Sequence, residues 1–349
     1  MKTRHRHKRT RNKSKKKGGG FFGSIRNKLF GKKSPISKMP NQRMSENISY
    51  SPESLKHAFN FAVSPNQGPK NLGHGSFGRV KKTLTNGVVK RTPFTKTLQQ
   101  KNGVSQITLP KEFKREMELM KRASSNENPY VVRRLNSYYN NNAGYVQLET
   151  LDSGSELYEA ITKKVPKTVN QRNVKEIIVE LLKGLDSIHA RDILHLDIKP
   201  ENIWVFPDTK KIKYFDFGMS EIMDNGQVIA GKKGSPHFLK PEKKYANKYA
   251  RFIYDKTDDY YALSITLSDL LQSIINDIDP NKYTTTFLED LSVDNIFTLV
   301  NQIKEDVSLT NDVKNTLDFI VTVMKNLQRL NVNNKAINAL PPNTITSTP

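Results

Sequence analysis

Residues 195–202 read His-Leu-Asp-Ile-Lys-Pro-Glu-Asn, and residues 216–218 read Asp-Phe-Gly. The first segment places a carboxylate, a lysine and an amide close together, and the second segment adds another carboxylate. A carboxylate can orient a hydroxyl group and accept its proton, and carboxylate and amide oxygens are ligands for hard divalent cations. Each segment alone is common, so its interpretation depends on the order and spacing of the surrounding motifs.

The two segments resemble the catalytic and metal-binding loops of eukaryotic-type protein kinases. The resemblance implies that Asp197 is the catalytic base and that Lys199 neutralises charge on the transferred phosphoryl group. It also implies that Asn202 and Asp216 hold Mg²⁺. The expected fold is therefore the bilobal α+β kinase fold, with a small β-rich N-lobe containing one main helix and a larger, mostly α-helical C-lobe.

A glycine-rich segment lies upstream, where glycines would allow the backbone to approach phosphate groups. The same pattern occurs in dinucleotide-binding folds, but there a helix follows it. Here Asn86-Gly87 lies between short β-prone runs and predicts a hairpin, which favours the kinase arrangement. The resemblance implies that ATP is bound by this loop, through Gly73, Gly75, Ser76, Phe77, Gly78 and Val80.

Lys90 falls where kinases place the strand lysine that contacts the α- and β-phosphates, although in isolation it would be one more surface lysine. Its expected partner is a glutamate on a helix. Residues 110–122 carry an apolar stripe at helical spacing, and Glu116 lies beside that stripe. Glu112 and Glu118 are the alternatives.

The resemblance also places a nucleotide pocket, since apolar walls with a few backbone polar groups suit an adenine ring. Leu148 takes the gatekeeper position, and the backbone from Glu149 to Leu151 is expected to form the hinge hydrogen bonds. Val88 stands above the adenine, where the family usually has alanine. Trp204, the only tryptophan, aligns with the apolar floor of the pocket, but an ordinary core tryptophan is an equal alternative.

The apolar periodicity of residues 173–190 predicts a buried helix that leads into the catalytic segment. Short strands are expected at 203–205 and 211–215, on either side of the loop that joins the two metal ligands. Asp259 resembles the aspartate that holds the catalytic-loop backbone in kinases. Its alternative role is a helix N-cap.

Residues 216–242 resemble a kinase activation segment. Ser235 replaces the threonine that contacts the catalytic aspartate and lysine in serine/threonine kinases, and together with Lys199 it favours a Ser/Thr protein substrate over a tyrosine substrate. The arginine that usually pairs with Glu242 is hard to locate, and Arg329 is a weak candidate.

Leu196 replaces an arginine that gathers an activation-segment phosphate in many kinases. Leucine cannot do so, and we therefore expect activity to be independent of phosphorylation within residues 220–235. Leu196, Val88 and Lys240 also favour an alternative interpretation, a non-catalytic kinase-fold scaffold whose basic tail binds polyanions. The intact set of catalytic residues favours an active enzyme.

The net charge of +23 is unevenly distributed along the chain. Residues 1–45 hold 16 Lys or Arg and no Asp or Glu, which leaves +7 for the remaining residues. Cysteine is absent, which excludes disulfides and cysteine-ligated zinc. The basic start lacks the apolar core of a secretory signal, and no apolar run approaches the roughly 18–20 residues of a membrane span. We expect a soluble intracellular protein of the cytoplasm or nucleus.

The domain organisation follows from these patterns. Residues 1–45 are expected to be a disordered basic tail, which either has no specific partner, binds nucleic acid or another polyanion, or directs nuclear import. Within it, residues 21–30 are a candidate for contact with an anionic membrane or a protein groove. A linker at 46–65 precedes the kinase domain at 66–340, with lobes at about 66–148 and 152–340, and a C-terminal tail at 341–349.

Overall fold

The computed structural model describes residues 71–75, 78–82, 88–93, 100–101, 104–105, 111–139, 143–151, 153–162, 169–247, 249–278, 293–342 and 344. The predicted basic tail at 1–45, the predicted linker at 46–65 and two glycine-loop residues, Ser76 and Phe77, lie outside the described residues. So does most of the C-terminal tail.

The N-terminal part is built on an antiparallel sheet of five strands in the order β1-β2-β3-β7-β6. These strands are β1 (Asn71–Gly75), β2 (Gly78–Lys82), β3 (Val88–Pro93), β6 (Arg134–Tyr139) and β7 (Ala143–Leu148). A separate pair of two-residue strands, β4 (Gln100–Lys101) and β5 (Val104–Ser105), lies between β3 and the first helix. Strand β2 pairs with β3, which confirms the hairpin predicted after the glycine loop.

One helix, α1 (Lys111–Ala123), packs on this sheet. Of the predicted stripe of Phe113, Met117 and Met120, the first and last are buried and Met117 is half-buried against the same core, while Leu119 is fully buried beside them. The ring of Phe113 lies so close to strand β7 that a Cβ built on Gly144 would be 2.2 Å from it. Glycine at position 144 therefore permits the helix to approach the sheet.

The C-terminal part is mostly helical. Its helices are α2 (Leu157–Thr162), α3 (Val174–His189), α4 (Pro241–Lys244), α5 (Lys256–Ile278), α6 (Val293–Lys304) and α7 (Asn311–Arg329). The predicted buried helix at 173–190 is α3, and its leucine and isoleucine side chains are fully buried. This distribution confirms the bilobal α+β fold.

Short strands organise the connections between these helices. Strand β10 (Ile203–Phe206) pairs with β11 (Lys211–Tyr214), and these are the two strands predicted at 203–205 and 211–215. Strand β10 also pairs with β8 (Ser155–Glu156), which was not predicted. Strand β9 (Ile193–Leu194) pairs with β12 (Glu221–Ile222). Downstream, β13 (Gln227–Gly231) pairs along its whole length with β14 (Arg251–Asp255). The segment that follows Asp216 is thus fixed by main-chain pairing at residues 221–222 and 227–231.

A continuous apolar core runs through both parts, from Val88 on the sheet to Leu340 near the C-terminus. Short 3₁₀ turns complete the fold at Ser125–Glu127, Pro200–Asn202, Pro236–Phe238 and Ala336–Ala339. Among the described residues, the helices are too short or too polar to cross a membrane.

Candidate active site

The lysine of strand β3 lies between two carboxylates. Lys90 Nζ is 2.6 Å from Glu116 Oε1 on α1 and 3.2 Å from Asp216 Oδ1. Lys90 and Glu116 are only 4% and 6% exposed. The structure therefore selects Glu116, rather than Glu112 or Glu118, as the partner, and it joins the helix, the sheet and the Asp-Phe-Gly segment at one point.

The charges of this cluster support one another. Burial alone would lower the pKa of Lys90, but the neighbouring charges of Asp216 and Glu116 outweigh it and raise that pKa. Burial likewise opposes ionisation of Asp216, yet the adjacent Lys90 holds the pKa of this carboxyl below its ordinary value. The cluster therefore consists of one buried ammonium group, that of Lys90, between the carboxylates of Glu116 and Asp216.

The backbone of the catalytic segment is held by Asp259 in the first turn of α5. Its Oδ2 accepts from the amide of His195 at 2.8 Å, and its Oδ1 accepts from the amide of Leu196 at 2.8 Å. His189 Nε2 lies 2.9 Å from the same carboxylate. Burial opposes ionisation of Asp259, but His189 and the backbone donors lower its pKa. Of the two predicted roles, the structure favours support of the loop over capping of the helix.

His195 is fully buried and its two ring nitrogens have different roles. Nε2 lies 3.2 Å from the carbonyl oxygen of Phe215, which can only accept, and Nδ1 receives the amide of Asp197 at 3.4 Å. One nitrogen thus donates and the other accepts, which assigns a neutral imidazole. Burial lowers the pKa of His195, in agreement with this assignment.

Four donors surround the carboxylate of Asp197. The amide and the hydroxyl of Ser235 reach Oδ1 at 2.9 and 2.7 Å. The side-chain amide of Asn202 and the ammonium of Lys199 reach Oδ2 at 2.9 and 3.1 Å. Lys199 also donates to the Ser235 hydroxyl at 2.8 Å. The structure therefore brings together Asp197, Lys199, Asn202 and Ser235, which are separated by up to 38 residues in sequence.

The predicted magnesium ligands fit a hard cation by their chemistry. The side chain of Asn202 donates from Nδ2 to the carbonyl and to the carboxylate of Asp197, so its oxygen Oδ1 is the atom that would serve as a ligand. The amide of Phe215 donates to the carbonyl of Asn202 at 3.1 Å, which brings the residue before Asp216 to the catalytic loop. Among the described residues, no group of three His, Cys, Asp or Glu side chains could hold a metal, so these two ligands would need phosphate or water oxygens beside them.

The predicted walls of the nucleotide pocket lie on adjacent strands. Val88 on β3 is paired across the sheet with Leu148 on β7, and both side chains are buried. Trp204 is 7% exposed, and its indole Nε1 donates to the carbonyl of Ser153 at 2.7 Å. These contacts suit both interpretations of Trp204, as a pocket floor and as a core residue.

The hinge and the glycine loop are defined by their backbones. The amide of Glu149 donates to the carbonyl of Arg133 at 3.0 Å, so the protein itself uses this donor. The predicted hinge hydrogen bonds to a nucleotide would therefore use the carbonyl of Glu149 and the backbone up to Leu151, rather than the amide of Glu149. In the glycine loop, Gly73 and Gly75 pair with Val80 and Gly78, so two antiparallel strands lie at the predicted position.

The end of the activation segment differs from the expectation. Glu242 and Arg329 are both exposed, and among the described residues neither forms an ion pair, so Arg329 is not the partner of Glu242. The buried cation of this region is Lys243, which bonds to Asp258 and lies 4.2 Å from the centre of the Tyr254 ring. The ion pair of this region therefore joins the buried Lys243 to Asp258, and the neighbouring exposed Glu242 takes no part in it.

The sequence analysis also missed a link between α1 and the activation segment. Glu221 on β12 accepts from Arg115 at 2.9 Å and lies 2.7 Å from Lys233. Arg115 precedes Glu116 on α1, so the same helix turn contacts both Lys90 and β12. No sequence motif identifies Glu221, because its two partners, Arg115 and Lys233, come beside it only in the folded chain.

Comparison with known proteins gives a consistent result. A family model described as "Protein kinase domain" matches residues 67–334. The chain is 28% identical over 162 residues to the interferon-induced, double-stranded RNA-activated protein kinase of Rattus norvegicus, covering 46% of this chain and 30% of that protein. It is 28% identical over 204 residues to calcium-dependent protein kinase 27 of Arabidopsis thaliana, covering 57% and 40%.

A third relative is serine/threonine-protein kinase 17A of Oryctolagus cuniculus, with 26% identity over 184 residues, 52% of this chain and 44% of that protein. The chain thus spans less than half the length of each of these relatives. The range that the family model matches contains the residues described above.

Proposed function

Since the chain belongs to the protein kinase domain family, we propose that it is an active serine/threonine kinase that transfers the γ-phosphoryl group of ATP to a protein hydroxyl. The observation that carries the proposal is the set of contacts around Asp197. Together with the Lys90–Glu116 pair, these contacts provide the positioning and charge stabilisation on which phosphoryl transfer depends.

In this proposal Asp197 orients the acceptor hydroxyl and takes its proton. The carboxylate has about four acceptor positions, and Ser235, Asn202 and Lys199 occupy them with four hydrogen-bond donors. An incoming hydroxyl therefore replaces one donor. The hydroxyl of Ser235 is the donor that a substrate serine or threonine resembles in size and chemistry.

Two residues would stabilise charge as the phosphoryl group moves. Lys199 lies within 3.1 Å of Asp197, so its ammonium is close to the proposed reacting oxygen. Lys90, held by Glu116 and Asp216, is placed to bind the nucleotide phosphates. Asn202 and Asp216 would hold Mg²⁺, which would supply further neutralisation of phosphate charge.

The preference for serine and threonine is proposed from the link between Lys199 and Ser235. Lys199 Nζ contacts the Ser235 hydroxyl and the Asp197 carboxylate at once, which fixes the lysine above the acceptor position. In this arrangement the backbone at Ser235 lies close to Asp197, since its amide donates to the Asp197 carboxylate at 2.9 Å. A substrate side chain that enters between them would therefore have to be short, which suits serine or threonine better than tyrosine.

The experiment is a transfer assay with the full chain, γ-labelled ATP, magnesium and a mixed panel of protein substrates, followed by identification of the labelled amino acid. We expect label on serine and threonine. Asp197→Asn should reduce the rate by roughly 10²–10⁴-fold, the contribution typical of a general base. Asp216→Asn is the second control, because it removes a proposed metal ligand.

The scaffold alternative gives a different result. If wild-type protein transfers no label to any substrate, or transfers as much as Asp197→Asn, the catalytic proposal is wrong. Label found only on tyrosine would retain the kinase activity and contradict the proposed specificity. Circular dichroism of both variants checks that their fold is unchanged.

A further inference from the structure

Residues 226–256 form a basic segment of the C-terminal part. They hold eight Lys or Arg and two Asp or Glu, a net charge of +6. Residues 54–111 are also basic, with ten Lys or Arg and no Asp or Glu, but the structure describes few of their side chains. A basic surface attracts ligands of opposite charge, so the surroundings of residues 226–256 decide what this segment could bind.

This segment lies beside the proposed catalytic site. Strand β13 ends at Gly231, four residues before Ser235, whose hydroxyl is 2.7 Å from Asp197. Four extended residues span at most about 14 Å. Arg251 on β14 is paired with Gly231, and Lys232 Nζ donates to the carbonyl of Lys244 at 2.6 Å. The basic residues are thus held together within reach of an acceptor bound at Asp197.

Some cations of the segment are neutralised within the protein, and others are not. Lys233 is paired with Glu221, and Lys243 is paired with Asp258. Three others contact uncharged groups. Lys232 and Arg251 donate to backbone carbonyls, and Lys244 lies over the ring of Tyr245. Among the described residues no carboxylate lies within ion-pair distance of these three cations.

An apolar strip runs along the same surface. Ile229 and Ile253 are cross-strand partners on the outward side of the β13–β14 ribbon and are 57% and 56% exposed. Tyr245 and Tyr249, in the connection before β14, are exposed even more. Exposed aliphatic and aromatic side chains bordered by unpaired cations are typical of a surface that binds another chain.

We propose that this surface, which we call the ribbon face, binds the protein substrate and selects segments with Asp or Glu near the acceptor serine or threonine. The ribbon face comprises Ile229, Lys232, Lys244, Tyr245, Tyr249, Arg251 and Ile253. The inference rests on the proposed kinase activity and adds the substrate class. The carboxylates of the substrate would pair with Lys232, Lys244 and Arg251, and its apolar residues would cover the isoleucines.

The composition of the ribbon face favours an acidic protein segment over nucleic acid. A nucleic-acid surface neutralises a run of phosphates with many unpaired Lys and Arg, and among the described residues this surface offers three such cations. Exposed isoleucines contribute nothing to phosphate binding, but they do contribute to contacts with a peptide. A substrate of mixed acidic and apolar character matches both features.

The test compares three fluorescently labelled serine peptides of equal length, flanked by Glu, by Gln or by Lys. Full-length protein is used to measure both kcat/KM and peptide binding by fluorescence anisotropy. We expect about a tenfold preference for the Glu peptide over the Gln peptide, as several exposed ion pairs would give. The preference should shrink as salt rises from about 50 to about 500 mM, because exposed charges are screened.

The triple variant Lys232→Gln/Lys244→Gln/Arg251→Gln should lose most of the preference while it continues to phosphorylate the Gln peptide. The matched control Lys114→Gln/Lys121→Gln/Lys314→Gln removes the same charge elsewhere and should keep the preference. Both variants retain residues 1–45, so a preference caused by the basic tail would survive in both and would overturn the proposal.

The outcomes separate this inference from the proposed function. Equal kcat/KM for the Glu and Gln peptides overturns the ribbon-face proposal and leaves the kinase activity intact. If no peptide is phosphorylated, the kinase proposal fails, and anisotropy alone decides whether the ribbon face prefers acidic peptides. Loss of single-stranded DNA binding in the triple variant, measured directly by anisotropy of labelled DNA, would identify a nucleic-acid surface and overturn the proposal.

Discussion

The buried imidazole of His195 makes stability depend on pH at the scale of one residue. Its pKa is lower in the folded protein than in the unfolded chain, where it is about 6.5. The unfolded chain therefore binds the proton more readily, and the free energy of unfolding falls as pH decreases below about 6.5. The contribution of one group to this slope has a ceiling of about 1.4 kcal/mol per pH unit.

Urea unfolding between pH 5 and pH 8 would measure this effect. His195→Gln should reduce the slope of unfolding free energy against pH, because the neutral amide can keep a donor and an acceptor without titrating. His237→Gln, which removes a histidine outside the catalytic-loop network, is the matched control. Identical slopes for wild type and His195→Gln would contradict the assignment of a neutral imidazole.

Trp204 gives a second prediction at this scale, because it is the only tryptophan. Its indole N–H donates to Ser153, just past the predicted hinge, so the ring lies close to the expected adenine site. We expect saturating Mg-ATP to change the intensity or wavelength of tryptophan emission, and Trp204→Phe to abolish the signal. An unchanged emission spectrum, with binding shown independently by calorimetry, would place Trp204 in the core only.

Single residues also show where sequence reasoning reached its limit. Lys90, Glu116, Asp197 and Ser235 were predicted because their types and order match a known motif. The backbone of Leu196 was not predictable, since its φ of 59° is unfavourable for a bulky side chain such as leucine. The carboxylate of Asp259 accepts hydrogen bonds from the amides of His195 and Leu196, and these bonds hold the conformation. Such support is visible only in three dimensions.

At the scale of elements, side-chain packing and hydrogen bonds within the protein hold the activation segment. Leu196 is 6% exposed and packs with Leu194, Met223, Ala230 and Tyr254 beneath the β13–β14 ribbon. Residues 220–235 contain only two hydroxyl side chains, Ser220 and Ser235. The first is fully buried and bonds to the carbonyl of His195, and the second bonds to Asp197. Neither hydroxyl is free to accept a regulatory phosphate.

We therefore predict that phosphatase treatment leaves the transfer rate unchanged, within about twofold. Leu196→Ala should instead destabilise the protein by about 2–5 kcal/mol, the usual cost of removing a buried leucine side chain, and should lower activity at temperatures that loosen the ribbon. Mass spectrometry verifies that phosphate is absent from residues 220–235. A large loss of activity after phosphatase treatment, with intact folding, would show that phosphate contributes to this segment.

The pairing of β13 with β14 was not predicted from the sequence. The run Arg251–Asp255 has the alternating burial of a half-buried strand, but a run of five residues does not show which strand it pairs with. Its partner lies about 24 residues earlier, so only the closed fold shows that the two runs meet. By contrast, α3 and the β2–β3 hairpin followed directly from local periodicity and turn chemistry.

At the scale of the whole molecule, two basic regions differ in composition and place. Residues 1–45 hold +16, and residues 226–256 hold +6. The first region has no acidic residues and few apolar ones, which suits non-specific attraction to a polyanion. The second region is fixed beside the proposed catalytic site and combines charge with exposed isoleucines. The two regions should therefore respond differently to deletion, salt and ligand type.

Deletion of residues 1–45 tests this division of roles. The remaining chain keeps every residue of the proposed catalytic site, so we expect its kcat/KM toward a neutral peptide to stay within about threefold of the full chain. Binding to a duplex of random DNA sequence should fall strongly, because fewer DNA phosphates are neutralised and fewer counterions are released. The slope of log K against log salt should become shallower by about 0.9 for each phosphate that the shortened chain leaves unneutralised.

Anisotropy titrations of labelled DNA at several salt concentrations, with both forms of the protein, provide the measurement. The ribbon-face triple variant in the full-length chain is the matched control, and it should bind DNA almost as well as wild type, because it retains all 16 basic residues of the tail. If deletion abolishes phosphotransfer instead, the first 45 residues support the fold or the site directly. Unchanged DNA affinity after deletion would place the polyanion site in the remaining chain, where residues 54–111 and residues 226–256 are both strongly basic.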